Sequence, residues 1–283
     1  MISQIRQIAD QLRAVYPADE AEALAWWLAE ETTGLSRTQL QIGCKDTTFF
    51  ANTQKNVQRL LHFEPIQYIF GHTLWCGLDL KVTPATLIPR PETAELVELV
   101  DSYFRQHHEL TNTPIRILDI GTGSGCIAIA LKKKHADWEV TGIDISPEAI
   151  EVAKENAARN KVEVQFKVAD IFDSNEENRP YFDIVVSNPP YVCEHEKSSM
   201  NPNVLAHEPA SALFVPDDDP LLFYRQITDL HLGAHLFVEI NENYASEIEN
   251  LLREYGYTDV RITKDMYGKP RFADGEWHGF CRR

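Results

Sequence analysis

Cysteine is scarce in this chain. The five residues are Cys44, Cys76, Cys126, Cys193 and Cys281, an odd number with no CxxC spacing. Neither a disulfide framework nor a zinc ribbon is expected, and reduced thiols suit a cytoplasmic protein. No run approaches about 18 consecutive apolar residues, so no membrane span is expected. The N-terminus, Met1-Ile-Ser-Gln-Ile-Arg6, leads into an amphipathic pattern, and no signal region is expected. Positive charge is short as well: 27 Lys and Arg stand against 43 Asp and Glu, a formal net charge of −16. Such a surface repels phosphate backbones, and no direct nucleic-acid partner is expected. The ten histidines, His107-His108 among them, have no metal-ligand spacing such as HExxH, and no metal is expected. There is no internal repeat and no low-complexity tract. Asp217-Asp218-Asp219 reads as a solvated turn.

What is present fills 283 residues with an apolar fraction of 43%, enough for one large domain or two modest ones. Residues 1–73 carry helical periodicity. Ile2, Ile5, Ile8, Leu12 and Val15 share a face. Pro17 opens a second helix that Gly34 closes, and a third passes through Phe49, Val57, Leu60 and Leu61. This predicts a small helical bundle. Residues 74–88 alternate at Leu78, Leu80 and Val82, which predicts a hairpin connector. From 89 to 283 strand and helix alternate. Strands are predicted at 115–120, 139–144, 162–168, 182–187, 234–240, 259–263 and 276–281, with helices at 126–134 and from Ser146-Pro147-Glu148 to Asn160. The pattern predicts an α/β sheet with helices on both faces.

The first predicted strand runs into Asp119-Ile120-Gly121-Thr122-Gly123-Ser124-Gly125. Ligands of open α/β sheets bind beyond the carboxyl ends of the strands, and glycines there let bare backbone approach them. The spacing is GxGxG and differs from the GxGxxG of dinucleotide enzymes. It suits a methionine moiety, with Asp119 as the carboxylate for its ammonium. Asp144, followed by Ile145, ends the next strand, where an acid can accept both ribose hydroxyls. Asp170 follows the third strand at the level of an adenine, with Ile171 and Phe172 to cover the ring. Each of these acids also suits a helix N-cap. Three acids at consecutive strand ends fit an adenosine ligand that carries positive charge.

The fourth strand runs into Ser187-Asn188-Pro189-Pro190-Tyr191. Two prolines make a rigid loop rich in unpaired carbonyls. The Asn188 side-chain carbonyl and the Pro189 backbone carbonyl can take the two hydrogens of a planar NH2 group, and Tyr191 can stack on its face. An amide nitrogen is a poor nucleophile because its lone pair is delocalised. Two acceptors orient that lone pair and stabilise the charge that grows on nitrogen during attack. The expected chemistry is methyl transfer from S-adenosylmethionine to a planar amide or amine nitrogen.

The glycine loop, Asp144 and Asn-Pro-Pro-Tyr, in that order, resemble class I methyltransferases that act on exocyclic or amide nitrogens. Leu87-Ile-Pro-Arg-Pro-Glu-Thr93 is similar to the PRPET segment of the peptide chain release factor glutamine methyltransferases, the HemK or PrmC family. Glu208-Pro-Ala-Ser-Ala-Leu213 resembles that family's EP-x-x-AL segment, and Asp265-Met-Tyr-Gly-Lys-Pro-Arg271 its D-x-x-GK-x-R ending. The resemblance covers nearly the whole chain. It implies a Rossmann-like class I methyltransferase sheet, and methylation of the glutamine in the Gly-Gly-Gln motif of class I release factors, with S-adenosylhomocysteine as product. It implies Gly121, Asp144 and Ile171 around the cofactor, and Asn188, Pro189 and Tyr191 at the substrate amide. It also implies a helical domain that helps dock the release factor. Thr122, Ser124 and Gly125 join the cofactor loop, and Pro190 the substrate loop. Arg90 and Glu92 either line the peptide channel or pair to position their loop; Glu208 is read as structural. The chain departs from the pattern at Ala94, where many members carry Glu and this one has it only at Glu95. It departs again at Ile171, where many carry an aromatic. A glutamine methyltransferase of a ribosomal protein shares these motifs, and an adenine methyltransferase of DNA or RNA shares the tetrapeptide.

Overall fold

The computed structural model describes residues 1–43, 49–107, 114–173 and 180–279. Cys44, His108 and Cys281 lie outside the described residues. The chain divides into two compact units. One comprises Met1–Gly71 with Asn201–His207, the other His72–Met200 with Glu208–Arg283.

The first unit is helical: α1 (Ile2–Leu12), α2 (Ala18–Thr33), α3 (Arg37–Gly43), α4 (Phe49–Leu61) and α5 (Ile66–Phe70). Pro17 precedes α2, and Gly34 ends it in the left-handed region at φ +67°, its N–H donating to the Glu30 carbonyl, as the punctuation of the sequence predicts. The helical spacing of Ile5, Ile8 and Leu12 buries all three against Leu28, Leu40, Val57 and Leu60.

The second unit opens with the hairpin β1 (His72–Trp75) and β2 (Leu78–Lys81). Its turn residues, Cys76 and Gly77, both have positive φ, the geometry that matches the twist of a two-residue hairpin. There follow α6 (Thr93–His107), β3 (Arg116–Ile120), α7 (Cys126–Lys134), β4 (Glu139–Asp144), α8 (Pro147–Asn160), β5 (Gln165–Val168), β6 (Phe182–Ser187), β7 (Val192–Cys193), α9 (Pro202–His207), β8 (Phe214–Val215), α10 (Leu222–Leu230), β9 (Gly233–Glu239), α11 (Ala245–Glu254), β10 (Thr258–Lys264) and β11 (Pro270–Glu276). Of these, α9 belongs to the helical unit. The seven-stranded sheet has the order β10-β11-β9-β6-β3-β4-β5. Strands β9, β6, β3, β4 and β5 are parallel, and β11 is antiparallel to both its neighbours.

Both sheet faces are covered, so the central strands read as continuous apolar runs. Ile117, Ile184, Val186 and Phe237 pack on one face with residues of α6, α7 and α8. Leu118, Val185, Leu236 and Val238 pack on the other with residues of α10 and α11. The last strand among the described residues, Pro270–Glu276, lies earlier than the predicted 276–281, whose end falls outside them. Phe272 and Ala273 pair with Glu239 and Val238 and are buried. The turn before them is held by Asp265, which accepts the N–H groups of Tyr267 and Lys269 and pairs with Arg271.

Strand β3 has β6 on one side and β4 on the other. The crossovers therefore diverge above its carboxyl end, the switch point where such sheets leave a crevice. Gly142 on β4 sits close by: a Cβ there would come within 2.7 Å of the Phe166 ring and 2.8 Å of Thr122 Oγ1. Gly142→Ala should cost about 1–3 kcal/mol of stability through overpacking, measured by urea unfolding. It should also displace the loop that carries Thr122, and so weaken binding of S-adenosylhomocysteine.

Candidate active site

The carboxyl ends of β3, β4, β5 and β6 border one cavity of about 400 Å³. Strand β3 leaves the sheet into residues 121–125. Gly121 and Gly123 have φ of +69° and +55°, a region that side chains rarely adopt. A Cβ on Gly121 would meet no protein atom within 4 Å, so bare backbone faces the cavity. Thr122 and Ser124 also line it. Gly125 lies off the cavity wall. Its missing Cβ makes room for Ile129, Ala153 and Phe166, all within 3.1 Å of where that atom would stand.

Strand β4 ends on Asp144, which lines the cavity. Its Oδ2 accepts the Gly123 N–H and its Oδ1 the Ser146 N–H, each at 2.9 Å. The carboxylate thus ties the end of β4 to the glycine loop and keeps lone pairs for a ligand. It does not cap the next helix. Ser146 does so, accepting from the Ala149 N–H at 3.1 Å. Ile145, 62% exposed, stands beside it on the cavity wall. Beyond β5, Asp170 accepts the Phe172 N–H at 2.9 Å, and Asp170, Ile171 and Phe172 all line the cavity.

Strand β6 ends on Ser187, whose hydroxyl donates to the Ile120 carbonyl at 2.8 Å and fastens the end of β6 to that of β3. Asn188, Pro189 and Pro190 continue along the same wall. Tyr191 does not line the cavity. Its ring packs with the apolar cluster of Leu118, Val185 and Val238, and its hydroxyl donates to Glu239 Oε1 at 3.0 Å. Glu239, at the end of β9, is 1% exposed. Its Oε2 accepts the Thr93 hydroxyl at 2.8 Å, and Thr93 Oγ1 accepts from Asn188 Nδ2 at 3.2 Å. Burial pushes the Glu239 carboxyl up, against the hydrogen bonds from Thr93 and Tyr191 and the charge of Arg271. Neither Thr93 nor Glu239 stands out as a site residue in the sequence. The signal for Glu239 was an acid closing an apolar strand, as at Asp144.

Residues 4–71 match the PrmC N-terminal domain, and residues 105–213 match the methyltransferase small domain. The chain is 41% identical over 273 residues to a release factor glutamine methyltransferase of Bacteroides thetaiotaomicron, covering 93% of this chain and 95% of that one. The chain belongs to the release factor glutamine methyltransferase family. A second relative of that name, from Flavobacterium psychrophilum, is 39% identical over 94% of this chain and 95% of its own. Among solved structures, the N-terminal domain of human METTL16 in complex with SAH shares the fold. Its TM-score is 0.52 at 19% identity, over 72% of this chain and 77% of that one.

Two of the segments that carry the family resemblance, PRPET and EP-x-x-AL, meet at this cavity. Arg90 lines it and also pairs, its Nη2 donating to Glu208 Oε1 at 2.7 Å. Glu208 Oε2 accepts the Ile88 N–H at 3.2 Å. One buried carboxylate therefore pins the PRPET segment to the EP-x-x-AL segment. Glu92 does not line the cavity. Glu95, one place later than the acid of many family members, accepts the Met266 N–H at 3.2 Å. Away from the cavity, ligand atoms of Cys193, His195 and Asp217 lie within 4.8 Å of one another, a grouping that the spacing of the histidines did not suggest. The His195 ring and backbone N–H both bond Asp217 Oδ1.

Asp119 lies beneath the glycine loop at 0% exposure and does not line the cavity. Its Oδ2 accepts from Thr122 Oγ1 at 2.6 Å and from the Ala128 N–H at 3.3 Å. Its Oδ1 has no partner among the described residues. Burial pushes this carboxyl from 3.8 up to about 7. A carboxyl that holds its proton more tightly folded than unfolded adds stability below the unfolded pKa and loses it as pH rises through the folded one. The window here is pH 4 to 7. Asp119→Asn removes that titration. Relative to wild type, the ligand-free variant should gain on the order of 1–3 kcal/mol between pH 5 and pH 8, read by urea unfolding at both values. A difference that stays flat with pH would show Asp119 ionised throughout.

Proposed function

We propose that this protein transfers a methyl group from S-adenosylmethionine to the side-chain amide nitrogen of the glutamine in the Gly-Gly-Gln motif of class I peptide chain release factors, in the cytoplasm. The observation that carries the reading is a single cavity wall. It brings together the bare glycine loop, Asp144 and Asn188-Pro189-Pro190. The cavity volume is within the range of small-molecule sites. The backbone open at Gly121 and the lone pairs left on Asp144 fit an adenosyl and methionyl ligand. In this reading residues 121–124 hold the methionine part. Asp119, fully buried beneath them, braces the loop through Thr122 and does not face the ammonium. Asp144 and Ile145 take the ribose, and Asp170 and Ile171 the adenine. When bound, S-adenosylmethionine supplies an electrophilic methyl group on a sulfonium.

The protein's own work is to hold and orient the amide. Asn188 Oδ1 and the Pro189 carbonyl each accept one N–H of the substrate NH2. The nitrogen lone pair is then directed out of the amide plane, and the two acceptors strengthen as positive charge grows on nitrogen. The Tyr191 ring packs off the cavity with the cluster of Leu118, Val185 and Val238 and does not stack on the amide. Its hydroxyl, held by Glu239, anchors the proline loop. Pro190 and Arg90 border the peptide's approach, and Glu92 lies off the cavity. No general base acts before attack, because the protonated amide that results is strongly acidic. The helical unit, matched by the PrmC N-terminal domain, serves to dock the release factor. The net charge of −16 speaks against direct contact with nucleic acid.

The test is methyl transfer from isotopically labelled S-adenosylmethionine to an unmodified release factor, read by mass spectrometry of the Gly-Gly-Gln peptide with a Gly-Gly-Ala control. One added methyl on glutamine supports the reading. No label, with the cofactor bound, sends the search to ribosomal proteins and then to adenine. Asn188→Ala should lower kcat by about a hundredfold or more, with cofactor affinity within severalfold of wild type by calorimetry. Near-normal turnover would remove Asn188 from the mechanism.

A further inference from the structure

An asparagine side chain has two ends of nearly equal size and opposite polarity. Only one orientation of Asn188 serves a substrate NH2. With its oxygen toward the substrate it accepts a hydrogen; reversed, it sets one NH2 against another. Something must fix the orientation, and the groups that touch Asn188 do so by proton counting.

Glu239 closes β9, which runs parallel to β6. Both of the Glu239 carboxyl oxygens accept from hydroxyls, Thr93 at 2.8 Å and Tyr191 at 3.0 Å. This is the pattern of a carboxylate, which can only accept hydrogen bonds. These bonds and the charge of Arg271 oppose the burial that pushes the carboxyl up. Glu239 Oε2 takes the single hydroxyl hydrogen of Thr93, at 2.8 Å. Thr93 Oγ1 then has only lone pairs left, and only the NH2 end of Asn188 can use them, at 3.2 Å. The Asn188 oxygen is thereby turned away from Thr93, free for a substrate hydrogen. The other oxygen of the same carboxylate takes the Tyr191 hydroxyl hydrogen at 3.0 Å. Tyr224 donates to the Glu239 backbone carbonyl at 3.0 Å and steadies the strand end. Thr93 and Glu239 are both buried, so water does not compete for these bonds.

We propose that Thr93 and Glu239 are positioning residues: the Glu239 carboxylate, acting through the Thr93 hydroxyl, sets which end of the Asn188 amide faces the substrate. The proposal rests on the glutamine methyltransferase reading above. It assigns the threonine of the PRPET segment a function in catalysis at a distance from the reacting atoms.

Thr93→Val keeps the shape and removes the hydroxyl; Thr93→Ser keeps the hydroxyl. On a release factor substrate, Thr93→Val should lower kcat by about ten- to a hundredfold. The KM for S-adenosylmethionine should stay near that of wild type, while the thermal midpoint should fall by a few degrees because buried Glu239 loses a donor. Thr93→Ser should return kcat to within about threefold of wild type. In an Asn188→Ala background, Thr93→Val should have no further effect, because the residue acts through Asn188. Should Thr93→Val fail to fold, Glu239→Gln gives the same reading. Its NH2 can donate to Thr93, which frees the hydroxyl to reverse Asn188, and kcat should again fall by about tenfold or more. A wild-type rate in the variant that folds, a serine variant as poor as valine, or a full additional loss on top of Asn188→Ala each overturns the relay. A wild-type protein that methylates no release factor glutamine sinks the functional reading itself, and does so before any variant is compared.

Discussion

Parallel strands stop bonding to one another at a common edge, and the site is built from what the chain does as it leaves that edge. In a parallel sheet all carboxyl ends point the same way, so the exit loops of β3, β4, β5 and β6 converge whatever their sequences. Two short contacts turn that convergence into a fixed wall. The Ser187 hydroxyl fastens the end of β6 to that of β3, and the Asp144 carboxylate fastens the end of β4 to the glycine loop. The loop that would hold the methyl donor and the loop that would hold the acceptor are thereby set on one frame. This positioning is the main source of rate available to a site with no strong base.

A second theme is the buried carboxylate used as a joint. Glu208 sits between Arg90 and the Ile88 backbone. Glu239 sits between Thr93 and Tyr191, and Asp119 between Thr122 and the first turn of α7. Glu208 and Glu239 join elements far apart in sequence, as 146 residues separate Thr93 from Glu239, whereas Asp119 braces the loop that follows it. Burying a carboxylate is costly unless its lone pairs are used. Glu208 and Glu239 use both oxygens. Asp119 uses one, and burial, only partly offset by the bonds from Thr122 and Ala128, makes it hold its proton tightly.

The parts of this arrangement that could be read from sequence are the local ones. An apolar strand followed by GxGxG, an acid at the next strand end and Asn-Pro-Pro-Tyr each declare themselves within a few residues, because backbone turning and proline rigidity are local properties. The bundle and the parallel sheet follow from periodicity in the same way. Glu239 was visible only as an acid at the end of a strand. Its link to Thr93 and Asn188 depends on β9 lying beside β6, a matter of topology. The depth of Asp119 could not be read either, since an aspartate before a glycine loop looks the same exposed or buried. The final strand was misplaced because its burial comes from pairing with β9 and not from its own alternation.

The helical unit is not a continuous stretch of chain. Helix α9 belongs to it, and His207 Nε2 lies 3.0 Å from the His62 carbonyl. About 130 residues of the other unit separate Gly71 from Asn201. During synthesis at ~5–20 residues per second, on the order of ten seconds therefore pass between the emergence of the first five helices and the arrival of the sixth. The sixth helix, which buries no residue of its own, thus joins a bundle whose apolar core comes from the first five, and it does so only after β6 and its proline loop have left the ribosome.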